Sequence, residues 1–176
     1  LKPLEVSDAG EVYELCRGTF REEYHITEER ILESLFEDPD FSAEESKKIV
    51  DEKNGRMIGF IGVKVSHNEQ LYPASAWISI FAVKKEEQGK GYGTMVLNQV
   101  CQSLHKNGIN KIYVGQDFNN FFSGIPDPDE GKEIFFKKNG FTLNRDRHFD
   151  LEADITDNRL IDSFDTSSFD KEFTVA

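Results

Sequence analysis

Gly89, Gly91 and Gly93 fall at every second position of the run Val83-Lys84-Lys85-Glu86-Glu87-Gln88-Gly89-Lys90-Gly91-Tyr92-Gly93-Thr94, between a strand-like segment and a helix-like one. Without a Cβ at these positions the chain can take positive φ, and a bulky anion can approach the main-chain N–H groups closely. The helix expected from Thr94, with Met95, Val96, Leu97, Val100 and Leu104 on its apolar stripe, adds the partial positive charge of its N-terminus. That combination is suited to a pyrophosphate. A glycine cluster also marks a plain tight turn, so the spacing matters. It fits neither the Walker pattern, Gly-x-x-x-x-Gly-Lys-Ser/Thr, nor the dinucleotide pattern, Gly-x-Gly-x-x-Gly. Lys84, Lys85 and Lys90 bracket the glycines and place cations where an anionic ligand needs them, although three lysines also serve simply to solubilise a turn.

The run Gln88-Gly89-Lys90-Gly91-Tyr92-Gly93 does fit the acyl-CoA loop, Gln/Arg-x-x-Gly-x-Gly/Ala. Here the chain resembles the GNAT superfamily of acetyl-CoA-dependent N-acetyltransferases. The resemblance extends through the order of elements to Phe135-Phe136-Lys137-Lys138-Asn139-Gly140-Phe141 and covers most of residues 1–154. It implies an α/β (α+β) fold: a single mixed, mostly antiparallel central sheet, splayed at the acetyl-CoA site and flanked by helices. It implies that the backbone of Phe81, Ala82 and Val83 pairs with the pantetheine arm like an added strand. Gln88, Gly89, Lys90, Gly91, Tyr92, Gly93 and Thr94 are expected to give amides to the pyrophosphate. Asn120 and Phe136 join the acetyl-CoA-binding positions, acetyl-CoA being the acyl-donor substrate, with no metal.

Acetyl transfer to an amine poses two proton problems. A primary aliphatic amine has a pKa near ~10 and must lose a proton before attack, and the departing thiolate must be protonated or stabilised. In the family a tyrosine of the late helix often meets the second need; the matching position is Phe136, and Phe135 cannot donate a proton either. Asp117, just past the strand expected at 111–115, is the candidate base, with a loop-capping aspartate as the plain alternative. Tyr72, named with Asp117 as a catalytic candidate, and His67 and His148 are further acids or bases whose reach the sequence does not show. The segment Gly115 to Pro126 is similar to a Phe-Phe-Pro-Gly-Ile/Val-Pro loop of one bacterial subgroup, with Ser123 in place of the proline. That similarity hints at an aminosugar or other small amine; the loop is equally readable as aromatic packing over the sheet.

The elements that must hold these residues follow from periodicity. Ser7 or Asp8 caps a helix carrying Val12, Leu15 and Cys16, and Thr27 starts a second with Ile31, Leu32, Leu35 and Phe36, stopped by Pro39. Strands are expected over 48–51 and 57–65, joined by a two-residue hairpin at Asn54-Gly55, and over 77–83 and 111–115. A helix over about 94–107 closes at Gly108, a long connection fills 116–130, and a short helix ends at Asn139-Gly140. Phe141 to Leu143 and His148 to Leu151 read as a closing antiparallel pair. The N-acetyltransferase domain is expected over 1–154, with an acidic tail over 155–176 that packs on the domain or on a partner.

At 176 residues the chain suits one domain with a substantial core. Its net charge of −12 repels nucleic-acid phosphates, and no apolar stretch approaches the roughly 20 residues of a membrane span. Cys16 and Cys101 sit in helical patterns and read as buried free thiols, which suits a reducing cytoplasmic compartment. The expected activity is acetyl transfer from acetyl-CoA to a primary amine, on a small molecule such as an aminosugar or polyamine. The alternatives are a protein or peptide acceptor, or a catalytically silent CoA-binding lobe, for which Phe136 speaks. Exposed closing strands would allow a homodimer.

Overall fold

Two nine-residue strands, β3 (Met57–Val65) and β4 (Ser75–Val83), are apolar at nearly every position, because helices cover both of their faces. A computed structural model describes residues 1–126 and 130–143 of the chain. Its sheet has the order β1 (Lys2–Pro3), β2 (Lys47–Val50), β3, β4 and β5 (Lys111–Val114). The first three pairings are antiparallel and β4 with β5 is parallel, so the sheet is mixed and mostly antiparallel, as expected.

On one face, α1 (Ala9–Thr19) and α2 (Glu28–Ile31, continued as a π-helical segment Leu32–Phe36) pack Val12, Leu15, Ile31 and Leu35 onto Phe60, Ile80 and Ala82. On the other, α3 (Tyr92–Lys106) packs Val96, Leu97, Val100 and Leu104 onto Ile61, Val63 and Ile78, with Phe136 of α4 (Glu130–Lys138) alongside. Burial of these apolar side chains is the main source of stability, each contributing about 1.5–3 kcal/mol of transfer free energy.

Several boundaries differ from expectation for local reasons. The Asp8 carboxylate reaches back to the amide of Glu5 at 2.9 Å, capping the short turn ahead of α1 rather than α1 itself. Thr27 does cap α2, accepting from the amide of Arg30 at 3.1 Å. The two-residue hairpin at Asn54-Gly55 does not form. Asp51 instead draws the amide of Lys53 and the Asn54 Nδ2 onto its carboxylate, and the connection from Asp51 to Arg56 closes with Asp51 N on the Arg56 carbonyl at 2.9 Å. Asn54-Gly55 is thus a corner inside a longer loop. The α3 helix starts two residues earlier than periodicity suggested, because Gly91 at φ +88° lets it begin at Tyr92. Phe141 to Leu143 form no strand among the described residues. The expected partner at 148–151, His148 and the tail over 155–176 lie outside the described residues.

The feature that builds a site is an extra residue in β4. Gly62 faces Ile80 and Val63 faces Ile78, leaving Ser79 as a bulge with no partner position on β3. On its other side β4 pairs with β5 only from Ser75 to Ile78, and the last bond is the amide of Gly115 to the Ile78 carbonyl at 2.9 Å. There the chain turns away through Gly115 and Gln116, both at φ +65°. A Cβ on Gly115 would lie 2.5 Å from the Phe122 carbonyl oxygen, so only glycine fits that corner.

Candidate active site

Where β5 leaves β4, a cleft of about 1150 Å³ opens. One side is the free edge of β4 from Ile78 to Val83; the glycine loop, Phe135 and Phe136, and the segment around Phe122 to Pro126 complete it. Beyond Ile78 no strand of the described residues pairs with this edge. An extended ligand arm can therefore add to β4 as a strand does. Phe81, Ala82 and Val83 line the cleft, and the Phe135 ring packs on that of Phe81 at 5.8 Å between centroids.

The glycine loop is built as an anion nest. Gly89 at φ +75° and Gly91 at φ +88° turn the chain into α3. None of the backbone N–H groups from Gly89 to Thr94 has an acceptor among the described residues. Unpaired amides at a helix start, with the helix dipole behind them, are what a pyrophosphate requires. Gln88 differs from expectation. Its amide is taken by the Lys85 carbonyl at 3.3 Å, and its side-chain Nε2 donates to the Val83 carbonyl at 2.9 Å. Gln88 therefore fixes the end of β4, and the free amides begin at Gly89. Lys90, half exposed, pairs with Glu87 at 3.0 Å. Gly93 has a different constraint: a Cβ there would stand 3.4 Å from the Phe135 ring.

The same cleft carries an aromatic wall. Phe122 lies 5.2 Å from Phe20 and 5.2 Å, edge-on, from Tyr24, and all three line the cleft. The loop bearing Phe122 is pinned from behind. Arg30 Nη2 donates to the Phe121 carbonyl at 3.2 Å, and Asn119 bonds Ser34 Oγ and the Glu33 carbonyl.

Asp117 and Tyr72, the two catalytic candidates, do not line this cleft. Asp117 is 4% exposed and its Oδ1 lies 2.5 Å from the ammonium of Lys64, which also holds Asp38 Oδ2 at 2.9 Å. Through Oδ1 the carboxylate ties the loop to β3 outside the cleft, while its buried Oδ2 has no hydrogen-bond partner among the described residues. Tyr72 packs its ring on Trp77 and Phe118 near the start of β4, whereas the cleft opens beyond Ile78. Asn120 also stays off the cleft, with its Nδ2 on the Asp117 carbonyl at 2.8 Å. His67 lines a second, separate cavity. Phe136 lines the cleft, 7% exposed and packed on Phe141.

Sequence reasoning passed over Ser79. It lines the cleft, is 2% exposed, and its Oγ has no hydrogen-bond partner among the described residues. The signal was present: Ser79 is the one polar residue in Ala76-Trp77-Ile78-Ser79-Ile80-Phe81-Ala82-Val83. Lys64, the one charged residue in β3, was the corresponding signal for the loop support. Among the described residues no group of three or more His, Cys, Asp or Glu side chains is placed to hold a metal ion. No helix among them is long and apolar enough to cross a membrane.

Solved structures share this architecture. A glucosamine N-acetyltransferase region of a fungal multi-domain GH3 β-N-acetylglucosaminidase superposes with a TM-score of 0.68 at 22% identity, covering 79% of this chain and 16% of that one. The present chain thus spans only a small part of that fungal protein's length. The ribosomal-protein-S18-alanine N-acetyltransferase of Escherichia coli gives 0.62 at 16% identity, over 80% of this chain and 76% of that one. An aminoglycoside acetyltransferase from an uncultured soil metagenomic sample, in complex with trehalose, gives 0.61 at 17% identity, over 87% and 95%. No curated protein sequence matches the chain. The model of the acetyltransferase (GNAT) family matches residues 9–123 of 176, and the chain belongs to that family of acetyl-CoA-dependent acyltransferases.

Proposed function

We propose that the chain moves the acetyl group of acetyl-CoA to a primary amine carried on a small molecule such as an aminosugar. The observation that carries this reading is the aromatic wall of Phe20, Tyr24 and Phe122 in the same cleft as the open β4 edge and the free amides of the glycine loop. Ring faces attract an ammonium ion within about 6 Å of the ring centroid, and they present a flat apolar surface to a sugar ring. Two of the structural neighbours are, by name, a glucosamine N-acetyltransferase region and an aminoglycoside acetyltransferase, which supports the same acceptor class.

The chemistry follows from the groups present. The amine arrives as an ammonium and loses a proton before its nitrogen attacks the thioester carbonyl carbon. Glu87 is the one carboxylate among the described residues lining the cleft, and it is paired with Lys90, so water takes that proton. The N–C bond forms, the C–S bond breaks, and CoA leaves as a thiolate that solvent protonates. Ser79 Oγ is the hydrogen-bond donor for the negative charge that develops at the thioester; Phe135 and Phe136 exclude water and donate nothing. A donor already in place in a water-poor site is worth more than the same donor in water.

The test is release of free thiol from acetyl-CoA with three acceptors: glucosamine, spermidine and a peptide with a free N-terminal alanine. Turnover should be greatest with glucosamine. A peptide rate at least tenfold above both small amines would assign the cleft to polypeptide N-termini, the substrate named for one structural neighbour.

A further inference from the structure

We propose that the cavity at the carboxyl end of α3 is a second amine site, binding a primary aliphatic ammonium ion with a short apolar body outside the acetyl-transfer cleft. This cavity measures about 350 Å³, the lower end of the roughly 300–1,000 Å³ typical of small-ligand sites. Its acidic lining is Asp40, Glu44 and Glu45, and no lysine or arginine of the described residues lines it.

Glu45 gives the site its chemistry. It is 3% exposed, and its Oε1 accepts from Ser103 Oγ at 3.1 Å and from Asn107 Nδ2 at 2.7 Å. Both donors are neutral, and Oε2 has no hydrogen-bond partner among the described residues. The helix α3 ends at Lys106, so the negative end of its dipole lies near the same place, although the carbonyls of Ser103, Leu104 and His105 are taken by the amides of Asn107, Gly108 and Ile109. A buried carboxylate without a cation is costly, and a cation entering the cavity relieves that cost. The neighbouring cations are bonded to main chain or exposed: the Lys47 ammonium bonds the carbonyl of Glu44, a lining residue, while His67, also in the lining, and His105 and Lys106 outside it are exposed to solvent.

The walls decide which cation. Phe41, Leu104 and Ile109 give the cavity an apolar floor, which suits a short alkyl chain. A metal ion would need several ligands converging, and no such group is found among the described residues. One carboxylate and an apolar wall are sufficient for an alkylammonium. Because α3 is 15 residues, about 22 Å, long, this site and the glycine loop at the other end of the helix are separate.

The experiment is titration calorimetry of the full chain with n-butylammonium chloride, with sodium chloride holding ionic strength constant and acetyl-CoA present at saturation. One saturable site per chain is expected, with n-butanol failing to compete. Glu45→Gln should weaken binding at least tenfold, and so should Ile109→Lys, which puts a resident ammonium in the cavity. Acetyl-CoA affinity should be unchanged in both variants, which also reports that they fold. If Glu45→Gln unfolds through loss of its Ser103 and Asn107 bonds, the partly exposed Ile109 position decides. Absence of saturable binding in the wild-type chain, equal competition by n-butanol, or unchanged affinity in a folded Ile109→Lys variant would each overturn the proposal. Thiol release is not read here, so the outcome is independent of the acceptor assigned to the cleft.

Discussion

The ammonium of Lys64 lies 2.5 Å from Asp117 Oδ1, with the lysine side chain 1% exposed. This pair joins a buried position of β3 to the loop that follows β5, and Asp38 at 2.9 Å and the Asn119 carbonyl at 3.2 Å complete the lysine's partners. Removing one member of such a buried set costs about 3–5 kcal/mol, because the remaining charges are left uncompensated. Lys64→Met strands two buried carboxylates. Urea unfolding should show a stability loss in that range, and a loss below about 1 kcal/mol would place the pair in the surface class of ion pairs.

If Asp117 serves Lys64 and not the substrate, Asp117→Asn should lower stability without moving the acidic limb of the pH–rate profile. Pre-steady-state or steady-state rates across pH 5–9 would check this. Loss of the acidic limb in the variant would return Asp117 to a proton-transfer role.

Ser79→Ala removes the unpartnered hydroxyl beside the open edge of β4. Turnover should fall roughly 10- to 100-fold, the worth of one hydrogen bond to a charged group, while acetyl-CoA affinity stays nearly constant. Equal losses in affinity and turnover would mean that Ser79 only shapes the bulge.

Gly91→Val forces a β-branched residue into φ +88°, a strain of about 1–2 kcal/mol, in the loop proposed to take the pyrophosphate. The acetyl-CoA Kd should rise at least about tenfold, equivalent to about 1.4 kcal/mol. Calorimetry on the folded variant is the measurement, and wild-type affinity would contradict the assignment.

Burial pushes the Cys16 thiol up to about 12 from its ordinary 9.0. The folded chain keeps this proton where the unfolded chain has lost it, so stability contributed by the buried thiol is full below pH 9 and falls as pH rises toward 12. The slope reaches at most about 1.4 kcal/mol per pH unit. Cys16→Ser should flatten that alkaline decline in urea unfolding, and a thiol reagent at pH 8 should leave Cys16 unmodified until the chain unfolds.

The parts legible in sequence were those fixed by short-range rules. Gly89, Gly91 and the apolar stripe of α3 announced the loop and its helix, and the apolar run of β3, interrupted by Lys64, gave its limits at Met57 and Val65. Asp117 and Asn120 were misplaced because a loop's distance from a strand end says nothing of which way its side chains turn. Lys64 on β3 settles that, through a contact 53 residues away in sequence. The β1 strand was missed because two residues, Lys2 and Pro3, carry no periodicity. Phe20 and Tyr24 could not be joined to Phe122 without knowing that the end of α1 meets the loop after β5.

The most direct test is a crystal structure of the chain soaked with acetyl-CoA. The pyrophosphate should lie within hydrogen-bond distance of the amides of Gly89, Gly91 and Gly93, about 2.7–3.2 Å, with the pantetheine arm paired to β4 between Ser79 and Val83. Density for acetyl-CoA bound elsewhere, with those amides and that strand edge still unpaired, would contradict the account.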